Sequence, residues 1–307
     1  MMTPKHIKSA RKLVWASSVS RNDKNVTRVE DGFLRSRGLG AELITPLSLI
    51  CDDLGIYYDP KSESRLERLI QSSPPLREDQ INRTKTLQQV LNKQKLTKYN
   101  LNGKAYALPK GKLILVPGQV EDDASVLNGS HHLQTNLDLL RLVRSNNPND
   151  IIIYKPHADV EAQLRKGYIP VQDALLYADI LAQDADIAYL LSKVAEVHTI
   201  TSLTGFEALL RGVKVTTYGI PFYAGWGLTT DMASIPARRT RRIDLYSLIY
   251  AALIAYPRYF DPVTKQACPV EVVVDRLSES QVLPRPTATR VLAKLQGLLA
   301  TPHPFWR

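Results

Sequence analysis

The sequence predicts an α/β protein with a parallel sheet covered by helices on both faces, and two observations carry that expectation. From Lys112 onward, short apolar runs of strand length alternate with stretches of helical periodicity in the order β-α-β-α-β-α-β. The chain is also long enough for roughly two domains of about 150 residues, and its 307 residues are 44% apolar and 23% charged, the balance of a globular protein with ample core.

Before Lys112 the pattern is looser. Lys12–Ser18 and Val29–Leu34 cluster apolar residues in strand fashion, and Ser64–Ile70 reads as a short helix. A longer helix is predicted over Leu76–Leu96, entered at Pro74-Pro75. Its sparse stripe of Leu76, Ile81, Leu87, Val90 and Leu91 marks a solvated or interdomain helix. Lys98–Lys112, with Asn100, Asn102, Gly103 and Pro109, reads as the connection between domains. Strand Leu113–Val116 then leads through Pro117-Gly118 into a loop, and helix Leu133–Arg144 follows. Strand Ile151–Tyr154, helix Ile187–Val194, strand Val197–Ile200, helix Gly205–Leu210 and strand Val213–Tyr218 complete the alternation. Leu245, Leu248, Ile249, Ala252, Leu253 and Tyr256 form a further helical stripe, and a last helix is predicted near Thr287–Leu299.

Several function classes recede on composition. No stretch reaches the roughly 20 apolar residues that span a bilayer. The start Met1–Lys8 is basic, but Leu13–Val19 is too short and polar for a signal h-region, so the chain reads as cytosolic. Cys51 and Cys268 are isolated, which suggests neither a disulfide framework nor a zinc ribbon. Forty Lys+Arg against thirty Asp+Glu give a formal +10. The basic residues are scattered apart from Arg238-Arg239 and Arg241-Arg242, which favours acidic substrates at an anionic membrane surface over nucleic acid.

Lys155-Pro156-His157 closes one predicted strand, and Thr201-Ser202-Leu203-Thr204-Gly205-Phe206-Glu207 opens a predicted helix. A strand ending in Lys and His points a cation and a ring N–H from the carboxyl edge of a parallel sheet, where ligands of open α/β folds bind. A Ser/Thr/Gly helix start adds hydroxyls, free N–H groups and the positive end of the helix dipole. Together they suit a phosphate; alone, Ser202 or Thr204 could simply cap the helix. Glu30-Asp31-Gly32, followed by Arg35, could supply a base and an anion clamp, or form a surface turn with a local ion pair. Gln119–Ser125 follows the first parallel strand. One of Glu121, Asp122 and Asp123 could serve as nucleophile or base, and the run could also hold a metal or cap a helix. In Gly219–Thr229, Phe222, Tyr223 and Trp226 could wall a base or sugar pocket, with core packing as the alternative. His131-His132 lacks further ligands at zinc spacing and reads as loop decoration.

Taken together, Glu30–Ser36, Pro46–Asp59, Gln119–Ser125, Lys155–His157, Thr201–Leu209, Pro221–Thr229 and Tyr256–Tyr259 resemble the KpsC-type capsular polysaccharide proteins, retaining β-Kdo transferases of bacterial capsule synthesis. The resemblance runs from about Val29 to about Leu277. That family commonly joins two transferase modules, and this chain has the length of one, most like the carboxyl-terminal module. The resemblance implies a GT-B-like fold of two Rossmann-like domains facing across a cleft: an acceptor-side domain over 1–109, a donor domain over 110–235, and helices over 236–307 packing back across both. It implies CMP-β-Kdo as donor, a Kdo-terminated glycolipid as acceptor, other capsule biosynthesis proteins as partners, no nucleic acid, and peripheral association with the anionic inner membrane. The nucleophile maps onto Asp123, with Asp122 as its neighbour, and the required glutamate onto Glu30. On the donor side stand Lys155, His157, Ser202, Thr204 and Gly205, with Glu207, Gln119, Arg35, Tyr223 and Trp226 beside them. Lys155 and Arg35 are the expected counter-charges, and no metal or other cofactor is expected. A non-catalytic module binding nucleotide sugar or glycan, and a sialyltransferase-like enzyme using another CMP-activated acid, are the alternatives.

Overall fold

The computed structural model describes residues 11–19, 25–39, 44–101 and 103–279. Two sheets organise them. The second is built from β4 (Leu113–Pro117), β5 (Ile151–Lys155), β6 (Ile180–Leu181), β7 (Glu196–Thr199), β8 (Lys214–Thr217) and β9 (Thr230–Asp231) in the order 6-5-4-7-8-9, every pair parallel. Chain order runs outward from β4 through β5 to β6, then restarts at β7 on its other side. The carboxyl ends of β4 and β7 therefore flank the switch point, where the crevice of such a sheet opens. Alternating residues of β4 serve opposite faces. Leu113 and Leu115 join one apolar cluster and Ile114 and Val116 another, so both faces are covered.

Short, well-capped helices connect these strands. Thr135 caps α4 (Asn136–Asn146) by accepting from Asp138 N, which sets its start three residues after the expected Leu133. Ser202 caps α8 (Leu203–Leu210) in the same way through Thr204 N. No helix was placed from the sequence at α3 (Ala124–Gly129), but the capping alternative for the acidic run before it holds at Asp123, which is its cap.

The first sheet combines β1 (Lys12–Trp15), β2 (Val26–Asp31) and β3 (Ser48–Asp52) with β10 (Pro257–Asp261) and β11 (Gln266–Cys268), in the order 1-2-3-10-11. Only β1–β2 is parallel; the other three pairs are antiparallel. This sheet thus departs from a doubly wound pattern, and the cause is local. No helix separates β2 from β3 among the described residues, so β3 can return directly, whereas a parallel neighbour needs a crossover. The segment after 236, expected as helices alone, supplies β10 and β11 as well as α9 (Leu245–Ile249), which continues as a π-helical turn over Tyr250–Ala255, and α10 (Val270–Ser278). The helix expected at Thr287–Leu299 lies outside the described residues.

The two lobes share one apolar core. Phe33, Ile50, Leu66, Leu87 and Leu91 from the first half join Leu115, Val197, Phe206 and Phe222 from the second, and Leu253 and Val273 from the last segment. Helix α2 (Glu78–Lys93) lies at this junction. It buries Leu87 and Leu91, while Gln88 and Asn92 donate to the carbonyl of Leu210 at the end of α8. Glu67, buried on α1 (Arg65–Ser72), accepts from Arg238 and Arg239; Arg239 in turn donates to the carbonyls of Pro221 and Ala224. The Arg238-Arg239 pair, which could have been a basic surface patch, is therefore an internal strap between the lobes.

Candidate active site

A cleft of about 1130 Å³ opens between the lobes, room for a nucleotide sugar and part of an acceptor. Its first wall carries Glu30 and Asp31 from the end of β2 with Tyr57 and Tyr58; its second carries Gln119 and Asp123 after β4, Lys155 at the end of β5 with His157 just beyond, and Ser202, Thr204 and Glu207 at the start of α8. Eight of the twelve residues singled out in the sequence line this one space: Glu30, Gln119, Asp123, Lys155, His157, Ser202, Thr204 and Glu207.

Asp123 and Asp122 part company. The Oδ1 of Asp123 accepts from Ser125 N (2.9 Å) and Ser125 Oγ (2.7 Å), so helix capping fixes the carboxylate and leaves Oδ2 uncommitted. Asp122 is exposed and reaches Arg165 at 3.2 Å. Glu121 accepts from Asn136 N and secures the start of α4. Glu30 accepts from Asp31 N at 3.0 Å, and its pKa is raised, first by burial and then by the charges of Asp31 and Asp123. The two carboxylates thus approach the cleft from opposite lobes.

His157 caps α5 (Ala158–Glu161) through Nδ1, which accepts from Asp159 N at 3.1 Å. Burial, aided by Lys155 and Lys98, drives its pKa down to about 4. The ring is neutral near pH 7, and with Nδ1 accepting, its proton resides on Nε2 as a donor. Lys155 is less available than its place at a strand end suggests. Its Nζ donates to the carbonyl of Pro156 (2.9 Å) and to Glu161 Oε2 (3.0 Å). Gln119 spends its amide internally: Oε1 accepts from Thr199 Oγ1, Ile200 N and Thr201 N, and Nε2 donates to Thr201 Oγ1. Gln119 thereby ties the loop after β4 to the turn after β7 and shapes the switch point. Glu207, whose pKa burial raises, accepts from Lys98 N at 2.8 Å.

Four expected donor-side residues do not line the cleft. Arg35 is buried and committed to Asp31 Oδ2 (2.5 Å) and Ser36 Oγ (3.0 Å), so the local ion pair describes it correctly. Trp226 is fully buried, donates Nε1–H to the carbonyl of Phe222 and stacks near Arg239. Tyr223, also fully buried, donates to the carbonyl of Ser202. Phe222 is the aromatic of this loop that reaches the cleft, packed on Phe33 with centroids 4.7 Å apart. Gly205 serves packing: a Cβ there would sit 2.2 Å from Tyr223 Oη. Gly205→Ala should therefore lower stability by about 1–3 kcal/mol through overpacking. A denaturant titration checks this, and Tyr223→Phe in the same chain should return part of the loss. His131 and His132 are exposed, and among the described residues no three His, Cys, Asp or Glu side chains are grouped to hold a metal.

The residue missed by sequence reasoning is Lys98. It lines the cleft, and its charge acts on Glu30 and Asp31 of one wall and on Asp123 and His157 of the other. Burial opposes that charge, but Tyr99, Tyr57, Asp31 and Asp123 outweigh it and hold the pKa above the ordinary lysine value. It stood in a segment that reads as a linker, with no neighbouring motif to mark it.

A model of the capsule polysaccharide biosynthesis protein family matches residues 8–109 and 100–259. The capsule polysaccharide modification protein LipA of Neisseria meningitidis serogroup B (strain ATCC BAA-335 / MC58) is 50% identical over 252 residues, which are 81% of this chain but 36% of that protein. The lipopolysaccharide-processing protein LpsZ of Rhizobium meliloti is 43% identical over 275 residues, covering 87% of this chain and 62% of that one. Among solved structures, a Thermosulfurimonas dismutans KpsC, beta Kdo 2,4 transferase, superposes with a TM-score of 0.76 at 33% identity, over 82% of this chain and 79% of that one. A second from the same organism, KpsC, beta Kdo 2,7 transferase, gives 0.73 at 36% identity, over 88% and 85%. The α/β, GT-B-like fold class expected from the sequence is thus the fold of this chain.

Proposed function

The chain belongs to the capsule polysaccharide biosynthesis protein family, and from that premise we propose that it is a KpsC-type module transferring Kdo from CMP-β-Kdo, with retention, to a Kdo-terminated glycolipid. The observation that carries this reading is the meeting of Glu30 and Asp123 from opposite lobes in one cleft beside the helix start at Ser202.

In the first displacement, Asp123 Oδ2 attacks the anomeric carbon and forms an ester-like glycosyl bond while the bond to the phosphate oxygen breaks, CMP leaving with the electron pair. The phosphate is received by the neutral His157 through Nε2–H and by the amino-terminal end of α8 with Ser202 and Thr204. Lys155 adds a cation whose charge it shares with Glu161. In the second displacement the acceptor oxygen attacks the same carbon from the face CMP vacated, Glu30 takes the hydroxyl proton, and the Asp123 carboxylate is restored. Two inversions leave the β configuration unchanged.

No step of this scheme requires a metal, and the partners it needs are the glycolipid and the other proteins of capsule synthesis. Among the described residues no helix is long and apolar enough to cross a membrane. Peripheral contact with the anionic inner leaflet is the proposed route to a lipid-linked acceptor. The test is to incubate the chain with CMP-β-Kdo and a synthetic Kdo-terminated acceptor and to define the product linkage by NMR. A β-linked Kdo should appear, equally in excess EDTA. The absence of both transfer and CMP release would overturn the reading; activity lost in EDTA and restored by magnesium would overturn its metal independence.

A further inference from the structure

The cleft must accept a donor with two negative groups, a phosphodiester and a sugar carboxylate, beside carboxylates of its own that include Glu30, Asp31 and Asp123. An account of its cations therefore decides how the donor is held. Of the cations that line the cleft, Lys155 is paired with Glu161 and Arg165 with Asp122, and Arg37 donates to the carbonyl of Leu277 (2.6 Å). Lys98, like Arg37, makes no ion pair with any described carboxylate, and its charge acts on Asp31, Asp123 and Glu30. It rests over the Tyr99 ring at 5.2 Å.

The backbone that carries it is fixed on both sides. Lys98 N donates to Glu207 Oε1 (2.8 Å) on the second lobe, and its carbonyl accepts from Arg35 N (3.1 Å) and Ser36 N (3.2 Å) on the first. Asn100 closes the loop by accepting from Thr97 N and donating to the carbonyl of Ser36, in a left-handed conformation (φ 49°). A cation so placed costs free energy to desolvate, and that cost is offset when an anion arrives.

We propose that Lys98 is the subsite for the sugar carboxylate of the donor, the group that distinguishes a 2-keto acid sugar from a neutral hexose. This rests on the reading of the cleft as the site of a CMP-linked keto acid. The carboxylate is attached to the carbon that Asp123 attacks, so a cation between them both orders the sugar and lowers the repulsion met by the nucleophile. Glu207 is then a positioning residue acting through Lys98.

The test separates the sugar from the nucleotide. In the non-reacting Asp123→Asn chain, affinities for CMP and CMP-Kdo are measured by calorimetry, with and without Lys98→Met. CMP-Kdo should bind more tightly than CMP, and Lys98→Met should reduce that preference by about 10- to 100-fold, the range of one charge-assisted hydrogen bond. The affinity for CMP itself should stay within about twofold, which also reports an intact fold, and Lys98→Arg should keep most of the preference. A preference unchanged by Lys98→Met, or an equal loss for CMP, would overturn the assignment and in the second case give Lys98 to the phosphate. Failure of the unaltered chain to use CMP-Kdo would appear without any substitution at Lys98, and would strike the transferase reading itself.

Discussion

An Asp123→Asn chain should fold, bind CMP and transfer no measurable Kdo, a loss of about three to six orders of magnitude if the side chain is the nucleophile. The substitution is unusually clean at this position. Asn retains the carbonyl oxygen that accepts from Ser125 N and Ser125 Oγ, and it is among the best helix caps, so α3 keeps its start. What disappears is the second, anionic oxygen, and an amide does not form the glycosyl ester. Asp122→Asn is the control: it removes only an exposed contact to Arg165, of a kind that contributes about 0–1 kcal/mol, and should leave transfer near its normal rate. An active Asp123→Asn chain would remove Asp123 from the chemistry.

Glu30→Gln should slow transfer by about 10²–10⁴-fold, the range of a lost general base, and slow the second displacement more than the first. Incubation with CMP-Kdo should then accumulate chains carrying one Kdo, which peptide mass spectrometry should place on Asp123; an adduct on Glu30 would reverse the two roles. The pH dependence gives a second readout. A base must be deprotonated, and burial raises the Glu30 pKa above its ordinary 4.5, so transfer should fall as pH drops through that raised value. Glu30→Gln should lose this acid limb. The same shift has a sign for stability. The folded chain binds this proton more tightly than the unfolded one, so the group favours folding below the ordinary value and loses that contribution as pH rises through the folded value. Glu30→Gln should therefore be no less stable than the parent at pH 7, as thermal unfolding can check.

The second lobe was legible because β4 and β5 are short apolar runs between turn residues, and because the β-branched residues of β7 and β8 fall where the strand-helix alternation calls for a strand. The edge strands β6 and β9 have two residues each and leave no periodic signal. Strand β10 begins with a proline directly after a helical stripe and alternates buried Tyr259 with exposed Arg258 and Phe260, so it reads as the tail of a helix until its pairing with β3 is seen. In the site, residues at strand ends and helix starts were found because topology sends those positions to one edge. Trp226 and Phe222 exchanged roles because the glycine-rich loop Gly219–Thr229 carries no period from which to tell inside from outside. Lys98 was hidden for the opposite reason: its importance comes from hydrogen bonds to Glu207, Arg35 and Ser36, none of them near in sequence.

The pairing of β10 with β3 also orders events during synthesis. All six strands of the parallel sheet lie between residues 113 and 231, so that lobe can assemble as soon as its own segment leaves the ribosome. The lobe translated earlier must wait: the free edge of β3 stays open until residues 257–261 arrive, more than two hundred positions later. The sheet begun first is thus finished last, and the exposed β3 edge is the stretch of the nascent chain most in need of protection from other strands.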